Sequence, residues 1–468
     1  MTKTLKKKSI YEGIVEKIDF PNLGYVYVPE ADDYIVTKNV IPGQKVRVAL
    51  TKFRKGIAKG RLMEVVLHSP LETREPVCSI FPACGGCTYQ TMPYQAQLQL
   101  KSTQVKEILD KSVKGDYVFE GILPSPSELR YRNKMEFSFG DQVKGGPLTL
   151  GLHKKDSMYD ILNASDCKIV HEDITKILQC VHEYFSDNGV SYYKKMQRVG
   201  YLRHLILRRG EATKEILVNL VTTSQEDYEL DNLVVQLKEL ELDGTIVGVL
   251  HTINDSISDV VKCDELRVLW GRDYLIEKLL GLSFKISPFS FFQPNTKGAE
   301  VIYKVVRQYL GDVRNLTVYD LFSGTGTISQ VIAPLAKKVI GVEIIEEAVV
   351  MARENAKINK LDNCEFIAGD VLRVIEDIED KPDTIILDPP RDGVHPKVLP
   401  KILDYGVEKI VYISCKVTSL ARDLEVIQDY GYKMERCICI DQFSQTTHVE
   451  VVTLLTRSKA TQWVDEPH

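Results

Sequence analysis

The chain has 468 residues, 44% of them hydrophobic and 27% charged, and a formal net charge of −5. That length predicts two or three domains with ample core. The basic start, MTKTLKKKSIYEG, is followed by no apolar h-region, and no uninterrupted apolar segment reaches spanning length, so neither a secreted nor a membrane protein is expected and the predicted compartment is the cytoplasm. Ten cysteines in such a chain point to metal ligation or catalysis rather than to a disulfide framework.

The charge is unevenly placed. Residues 1–67 carry 13 Lys/Arg against 7 Asp/Glu, whereas the remainder carries 47 against 58. A basic module on an acidic body predicts a polyanionic partner for the module. Residues 10–67 read as short strands (YEGIVEKID, LGYVYVPE, YIVTKNVIPGQKVRVAL, KGIAKGRLMEVVLH) with Gly/Pro punctuation, which predicts a five-stranded barrel of OB type. Lys52, Arg54, Lys55, Lys59 and Arg61 gather around one hairpin as a phosphate-facing rim. Such a barrel resembles the TRAM domain, an RNA-binding module.

CSIFPACGGC follows, placing Cys78, Cys84 and Cys87 as C-x5-C-x2-C. A Gly-Gly between two cysteines lets backbone amides turn toward sulfur, as thiolate sites require. For a fourth ligand, Cys167 opens a new segment after a turn, while Cys180 lies inside a helical pattern, ITKILQCVHEYF. Four thiolates fit a structural zinc or an iron–sulfur cluster, and spacing does not choose between them.

YQAQLQLKSTQVKEILDKS, residues 94–112, predicts an amphipathic helix. From about 128 to 285, five strand-like runs alternate with two helical ones, an α+β central domain. LRYRNKMEF and LRHLILRRG interleave cations with apolar residues, as RNA-contacting strands do; the same pattern fits charged outer faces of ordinary strands. From about 286 the chain turns to βαβ units, predicting a doubly wound, mainly parallel sheet.

DLFSGTGTIS sets Gly324 and Gly326 between a strand and a helix, but Ser329 stands where a dinucleotide loop has its third glycine. Carboxylates end the following strands: Glu343 after VIGV, Asp370 after FIAG, Asp388 after TIIL. Such carboxylates suit ribose hydroxyls and repel phosphates, which favours a nucleoside cofactor such as S-adenosylmethionine. The constellation resembles class I methyltransferases. In ILDPPR, Arg391 occupies the position where amino-group methyltransferases of nucleic acids place an aromatic residue, which shifts the expectation toward carbon methylation.

VYISCKVTSLARDL puts Cys415 where a strand ends and a helix soon begins, at the ligand-binding edge of an α/β sheet. A lone thiol there is commonly a buried core residue. A thiolate adding to C6 of uracil, however, would make C5 nucleophilic toward a sulfonium methyl, and a base must then take the C5 proton. Glu450, alone in the apolar run of QTTHVEVVTLL, is the candidate base; a structural hydrogen bond is the alternative.

SFFQPN, DLFSGTGTIS, ILDPPR, ISCKVTSLARDL and HVEVV, in this order, resemble the RNA uracil-5-methyltransferase family over nearly the whole chain. The barrel and the four cysteines resemble its 23S ribosomal RNA branch, which carries a TRAM domain and a [4Fe–4S] cluster; the transfer RNA branch resembles only the catalytic part. The resemblance implies Cys415 as nucleophile, Glu450 as base, and a cofactor site of Gln293, Phe322, Thr327, Glu343, Asp370 and Asp388, with Thr327 where relatives often carry Asn. It implies cluster ligation by Cys78, Cys84, Cys87 and Cys167, and packing of the 94–112 helix on the catalytic domain. The expected fold is thus a multidomain α/β protein: barrel (1–68), central α+β domain (69–93 and 128–285), packing helix (94–127) and Rossmann-like S-adenosylmethionine-dependent methyltransferase domain (286–468). The expected partner is 23S ribosomal RNA, bound by a monomer. A radical S-adenosylmethionine enzyme usually spaces its cysteines C-x3-C-x2-C and has no DPPR or ISC segment. A non-catalytic RNA-binding iron–sulfur protein gives no reason for the carboxylates, thiol and buried Glu together.

Overall fold

The computed structural model describes residues 4–258 and 260–457. Five strands, β1 (Ile10–Asp19), β2 (Leu23–Val28), β3 (Asp33–Thr37), β4 (Lys45–Arg54) and β5 (Ile57–Leu67), form a closed barrel in the order β1-β2-β3-β5-β4. β2 alternates buried and half-exposed residues along its length, the period of a strand with one face on a core and one on water. Val15, Val26, Ile35, Val48 and Leu50 fill the interior.

α1 (Tyr94–Ser112) occupies the expected residues. Its Val105 and Leu109 join Phe20 of the barrel in one core, and Gln104 donates to the Ile18 carbonyl at 3.0 Å, so the helix bridges barrel and catalytic sheet. β6 (Val118–Leu123) follows, a strand that the sequence reading did not foresee; it pairs in parallel with the edge of the C-terminal sheet.

The central body contains β7 (Lys134–Asp141), β8 (Leu148–His153), β9 (Ile161–Asn163), α2 (Glu172–Asp187), β10 (Leu202–Arg209), β11 (Glu215–Thr222), α3 (Asp231–Glu239), β12 (Thr245–Ile253) and β13 (Glu265–Gly271). Its sheet runs β13-β12-β11-β10-β7-β8-β9, and residues of α2 and α3 share its core. The LRHLILRRG arginines do not face RNA. Arg203 donates to the carbonyls of Asn254, Ser256 and Ser258, Arg208 to those of Pro288 and Ser290, and Arg209 to Asp173 and Asp243. All three are buried, because each guanidinium finds enough acceptors to leave water. The hairpin β14 (Leu275–Leu279) and β15 (Leu282–Ile286) shares a core with the C-terminal sheet, and Asn355 and Asn359 bind its backbone.

α4 (Thr296–Leu310), capped by the Asn295 side chain, leads into β16 (Val313–Leu321), α5 (Thr327–Ile332), β17 (Ala336–Glu343), α6 (Glu346–Ile358), β18 (Cys364–Ala368), α7 (Val371–Val374), β19 (Thr384–Leu387), α8 (Val398–Leu403), β20 (Lys409–Ser414), α9 (Val417–Asp429), β21 (Tyr432–Ile440) and β22 (Glu450–Arg457). The eight-stranded sheet has the order β18-β17-β16-β19-β20-β22-β21-β6. β16 to β20 are parallel, and β19 is buried throughout, the signature of a strand covered on both faces. The strand order reverses between β16 and β19, so ligands are expected at the carboxyl ends of these two strands.

Candidate active site

At that switch point β16 ends in a loop, Phe322–Gly326. The Phe322 backbone is left-handed, φ 68°, an uncommon state for a bulky residue; the N–H groups of Phe322 and Ser323 both donate to the Val342 carbonyl. Gly326, φ 71°, must be glycine, since a Cβ would lie 2.4 Å from the Phe366 ring. Glu343, ending β17, accepts N–H bonds from Gly324 and Ile345, each at 2.9 Å, which fixes its carboxylate at the cavity wall.

The cavity above the loop measures about 1290 Å³. Gln293, Phe322, Thr327, Glu343 and Asp388 line it together, along with Cys415 and Glu450. Asp370 follows β18 outside this lining, and its carboxylate accepts from Leu372 N–H at 2.9 Å as the cap of α7.

Cys415 follows the last residue of β20, and Glu450 is the first of β22. The two strands are antiparallel neighbours with Ser414 opposite Val451, so thiol and carboxyl sit one step beyond the same rung. Glu450 is buried, and burial with the nearby Asp388 pushes its carboxyl up to about 8. Burial, with Asp320 next to it, lifts Asp388 to about 7; burial likewise lifts Asp320 to about 7, with Glu343 adding to the rise. Burial and then the carboxyls of Glu450 and Asp388 raise the Cys415 thiol to about 11, against the pull of Arg391. The site is therefore a run of acids waiting for positive charge, and a cationic ligand would ease each of them toward ionisation.

Sequence reasoning did not single out Asp320, Tyr303 or His448. Asp320 accepts from Ser329 Oγ at 2.5 Å, and its other oxygen is buried without a partner. The acidic residue opening DLFSGTG was its signal. Tyr303 projects from α4 into the cavity. His448, two residues before Glu450 on the same apolar run, also lines the cavity, its imidazole held neutral, down to about 4, chiefly by burial and Arg391.

A second, smaller recess collects Cys78, Cys84, Cys87 and Cys167, all buried, with Phe81, Leu152 and Ile169 around them. Cys180 stays on α2, outside it. Gly86 N–H donates to Cys84 Sγ at 3.3 Å, as the glycine pair predicts. Burial raises Cys84, and raises Cys87 to about 11 and Cys167 to about 12. Four buried thiols around one recess fit a thiolate-bound centre, zinc or iron–sulfur. His171, Asp173 and Asp243 do crowd together, but Arg209 already holds both aspartates.

An α/β sheet of this order, with a glycine loop, strand-end acids and a thiol at one cavity, has the layout of a ligand site at a topological switch point. A model of the tRNA (uracil-5-)-methyltransferase family matches residues 93–458. An uncharacterized RNA methyltransferase of Clostridium tetani is 49% identical over 453 residues, covering 97% of this chain and 99% of its own. One of Clostridium acetobutylicum is 47% identical over 456 residues, with coverage of 97% and 99%. The Pyrococcus abyssi tRNA (uracil-54, C5)-methyltransferase, solved in complex with S-adenosyl-L-homocysteine, superimposes with a TM-score of 0.75 at 25% identity, covering 95% of this chain and 100% of that one. The chain belongs to the tRNA (uracil-5-)-methyltransferase family.

Proposed function

We propose that the protein methylates C5 of a uridine in 23S ribosomal RNA through a covalent bond between Cys415 and C6. The observation that carries this reading is the placement of Cys415 and Glu450 beyond one rung of adjacent strands, at the same cavity as the glycine loop. S-adenosylmethionine supplies the electrophilic methyl group. Glu343, already oriented by two backbone amides, holds the ribose; Gln293, Phe322, Thr327 and Asp388 complete the site, while Asp370, engaged as the cap of α7, stands outside it. Cys415 releases its thiol proton to solvent and adds to C6 as the thiolate, and the C5=C6 pair moves toward the C4 carbonyl as an enolate. C5 takes the methyl, leaving the cofactor sulfur neutral. Glu450 removes the C5 proton, the C6–S bond breaks and the double bond returns. A positively charged methyl donor held in the cavity that Asp388 and Glu450 line would lower the proton affinity of both, and so would prepare the base.

The four cysteines hold a [4Fe–4S] cluster in this reading, and the barrel is a TRAM-like RNA-binding module. Lys52, Arg54 and Lys55 are exposed on its β4–β5 hairpin beside the exposed Phe53 ring, a surface suited to phosphates and a stacked base. The sheet order supports a Rossmann-like catalytic domain. Cytoplasmic action fits ten cysteines all in the free form. The likeness to a tRNA enzyme extends over 95% of this chain rather than over the catalytic part alone, the extent expected of the transfer RNA branch, and favours a second reading, a uridine in transfer RNA. Mapping 5-methyluridine in ribosomal and transfer RNA from a deletion strain decides. Loss of a 23S position is expected, loss confined to transfer RNA selects the second reading, and no loss in either refutes both.

A further inference from the structure

Residues 441–449, which join β21 to Glu450, are held from outside. Asp441, fully buried, accepts from Lys101 Nζ of α1 at 2.6 Å, and the same ammonium donates to the Phe443 carbonyl at 3.1 Å. Tyr131 donates to the Ser444 carbonyl at 2.9 Å. The tightest grip is on Gln445, whose backbone is left-handed at φ 67°. Its carbonyl accepts the N–H groups of Thr88 and Tyr89, at 2.8 and 3.1 Å, the two residues directly after Cys87. Gln97 of α1 closes the knot: its amide binds the Gln445 N–H at 3.1 Å, the Gln445 side-chain oxygen at 3.0 Å and the Tyr89 carbonyl at 3.0 Å. Phe443 packs against the core that contains Cys87 and Cys167, while Phe443, Thr446 and His448 line the catalytic cavity just before Glu450.

We propose that the four-cysteine segment positions the base: the clasp between Thr88–Tyr89 and Gln445 couples occupancy of the cysteine site to the placement of Glu450. The inference rests on the reading of Glu450 as base. Four thiolates bound to one centre fix Cys87, and with it the two N–H groups one and two residues on. Those donors hold Gln445 in a conformation that a non-glycine residue adopts at a cost. Without them Gln445 relaxes toward negative φ and the chain leading to Glu450 changes course. A displacement of 1 Å in a catalytic group costs about 100-fold in rate. Gln445 and Gln97 are positioning residues, since neither touches the reacting atoms.

Hydrogen exchange on the full chain tests this without RNA. Removing metal from the purified protein with a chelator is expected to speed exchange in 441–450 by at least about tenfold while β16–β18 keep their protection. Gln97→Met in the metal-loaded protein should reproduce that local change with wild-type metal content, cofactor Kd within about twofold, and kcat down about 10- to 100-fold. Unchanged protection of 441–450 on metal removal overturns the proposal, as does a protein that binds no metal. If metal removal loosens the whole chain, exchange in loaded Gln97→Met decides: local loosening upholds the proposal and wild-type protection overturns it. A wild-type protein that methylates no uridine refutes the functional reading instead, and the exchange result still stands on its own.

Discussion

Burial and two carboxyls hold the Cys415 thiol in its neutral form, up to about 11, so the thiolate has to be made by what binds beside it. Cys415→Ala is expected to abolish methyl transfer while calorimetry finds cofactor affinity near normal, because the cofactor carboxylates lie on other strands; substantial turnover would remove Cys415 as nucleophile. Glu450→Gln keeps size but takes no proton. It should accumulate RNA already methylated and joined to Cys415, a slow band on a denaturing gel, once the uracil has left its stack at a cost of a few kcal/mol. A dead variant with no adduct would give Glu450 an earlier role. The acids also set a pH dependence. Asp320 and Asp388 sit at about 7 and Glu450 at about 8, all raised above their unfolded values near 4. The unfolded chain therefore releases these protons first as pH rises. Their favourable contribution is complete below about pH 4, declines as pH increases and is gone once pH passes through 7 to 8. Thermal melts of cofactor-free protein should fall across pH 5 to 8, and Asp320→Asn should flatten that fall; an identical slope in the variant would show that Asp320 is already ionised.

Among the elements, the β4–β5 hairpin carries the testable charge. Deleting the barrel would uncover the face of α1 that Phe20 covers, so substitution is the cleaner probe. Replacing Lys52, Arg54 and Lys55 by Ala should weaken RNA binding and lower the log–log salt slope by about 0.7 to 0.9 for each phosphate that the hairpin no longer neutralises. An unchanged slope would mean that the hairpin does not touch RNA. The barrel was readable because period-two alternation and Gly/Pro turns are local signals, and α1 because its pattern runs for nineteen residues. β6 was not: six residues with no buried position hold their place through β21, more than 300 residues away, and that pairing leaves no local trace. Arg203, Arg208 and Arg209 misled for the same reason, since the carbonyls and carboxylates that accept from them come from distant segments. Cys415, Glu450 and the glycine loop were legible because each breaks the pattern of its strand. The hydrogen bonds that hold Glu450's approach were not, since glutamines and backbone amides look like surface in a sequence.

At the scale of the molecule, the cavity takes walls from both bodies. Gly85, Gly86 and Arg132 belong to the central one, and Phe322, Cys415 and Glu450 to the catalytic one. The cysteine recess lies in the core next to that seam. Anaerobically purified protein is expected to be brown with about four irons per chain. Colourless protein with one tight zinc would overturn the cluster assignment, and a cluster that survives Cys167→Ser would move the fourth ligand elsewhere.

The rung joining Ser414 to Val451 works as a caliper whose jaws are Cys415 and Glu450. Its setting is written in backbone hydrogen bonds, so exchanging either side chain leaves the gauge unchanged. A one-residue slip of β22, by contrast, would turn every side chain of that strand to the opposite face and close the caliper on Val449 or Val451. Substitutions at the two jaws thus report on chemistry, and insertions or deletions in the strand on distance.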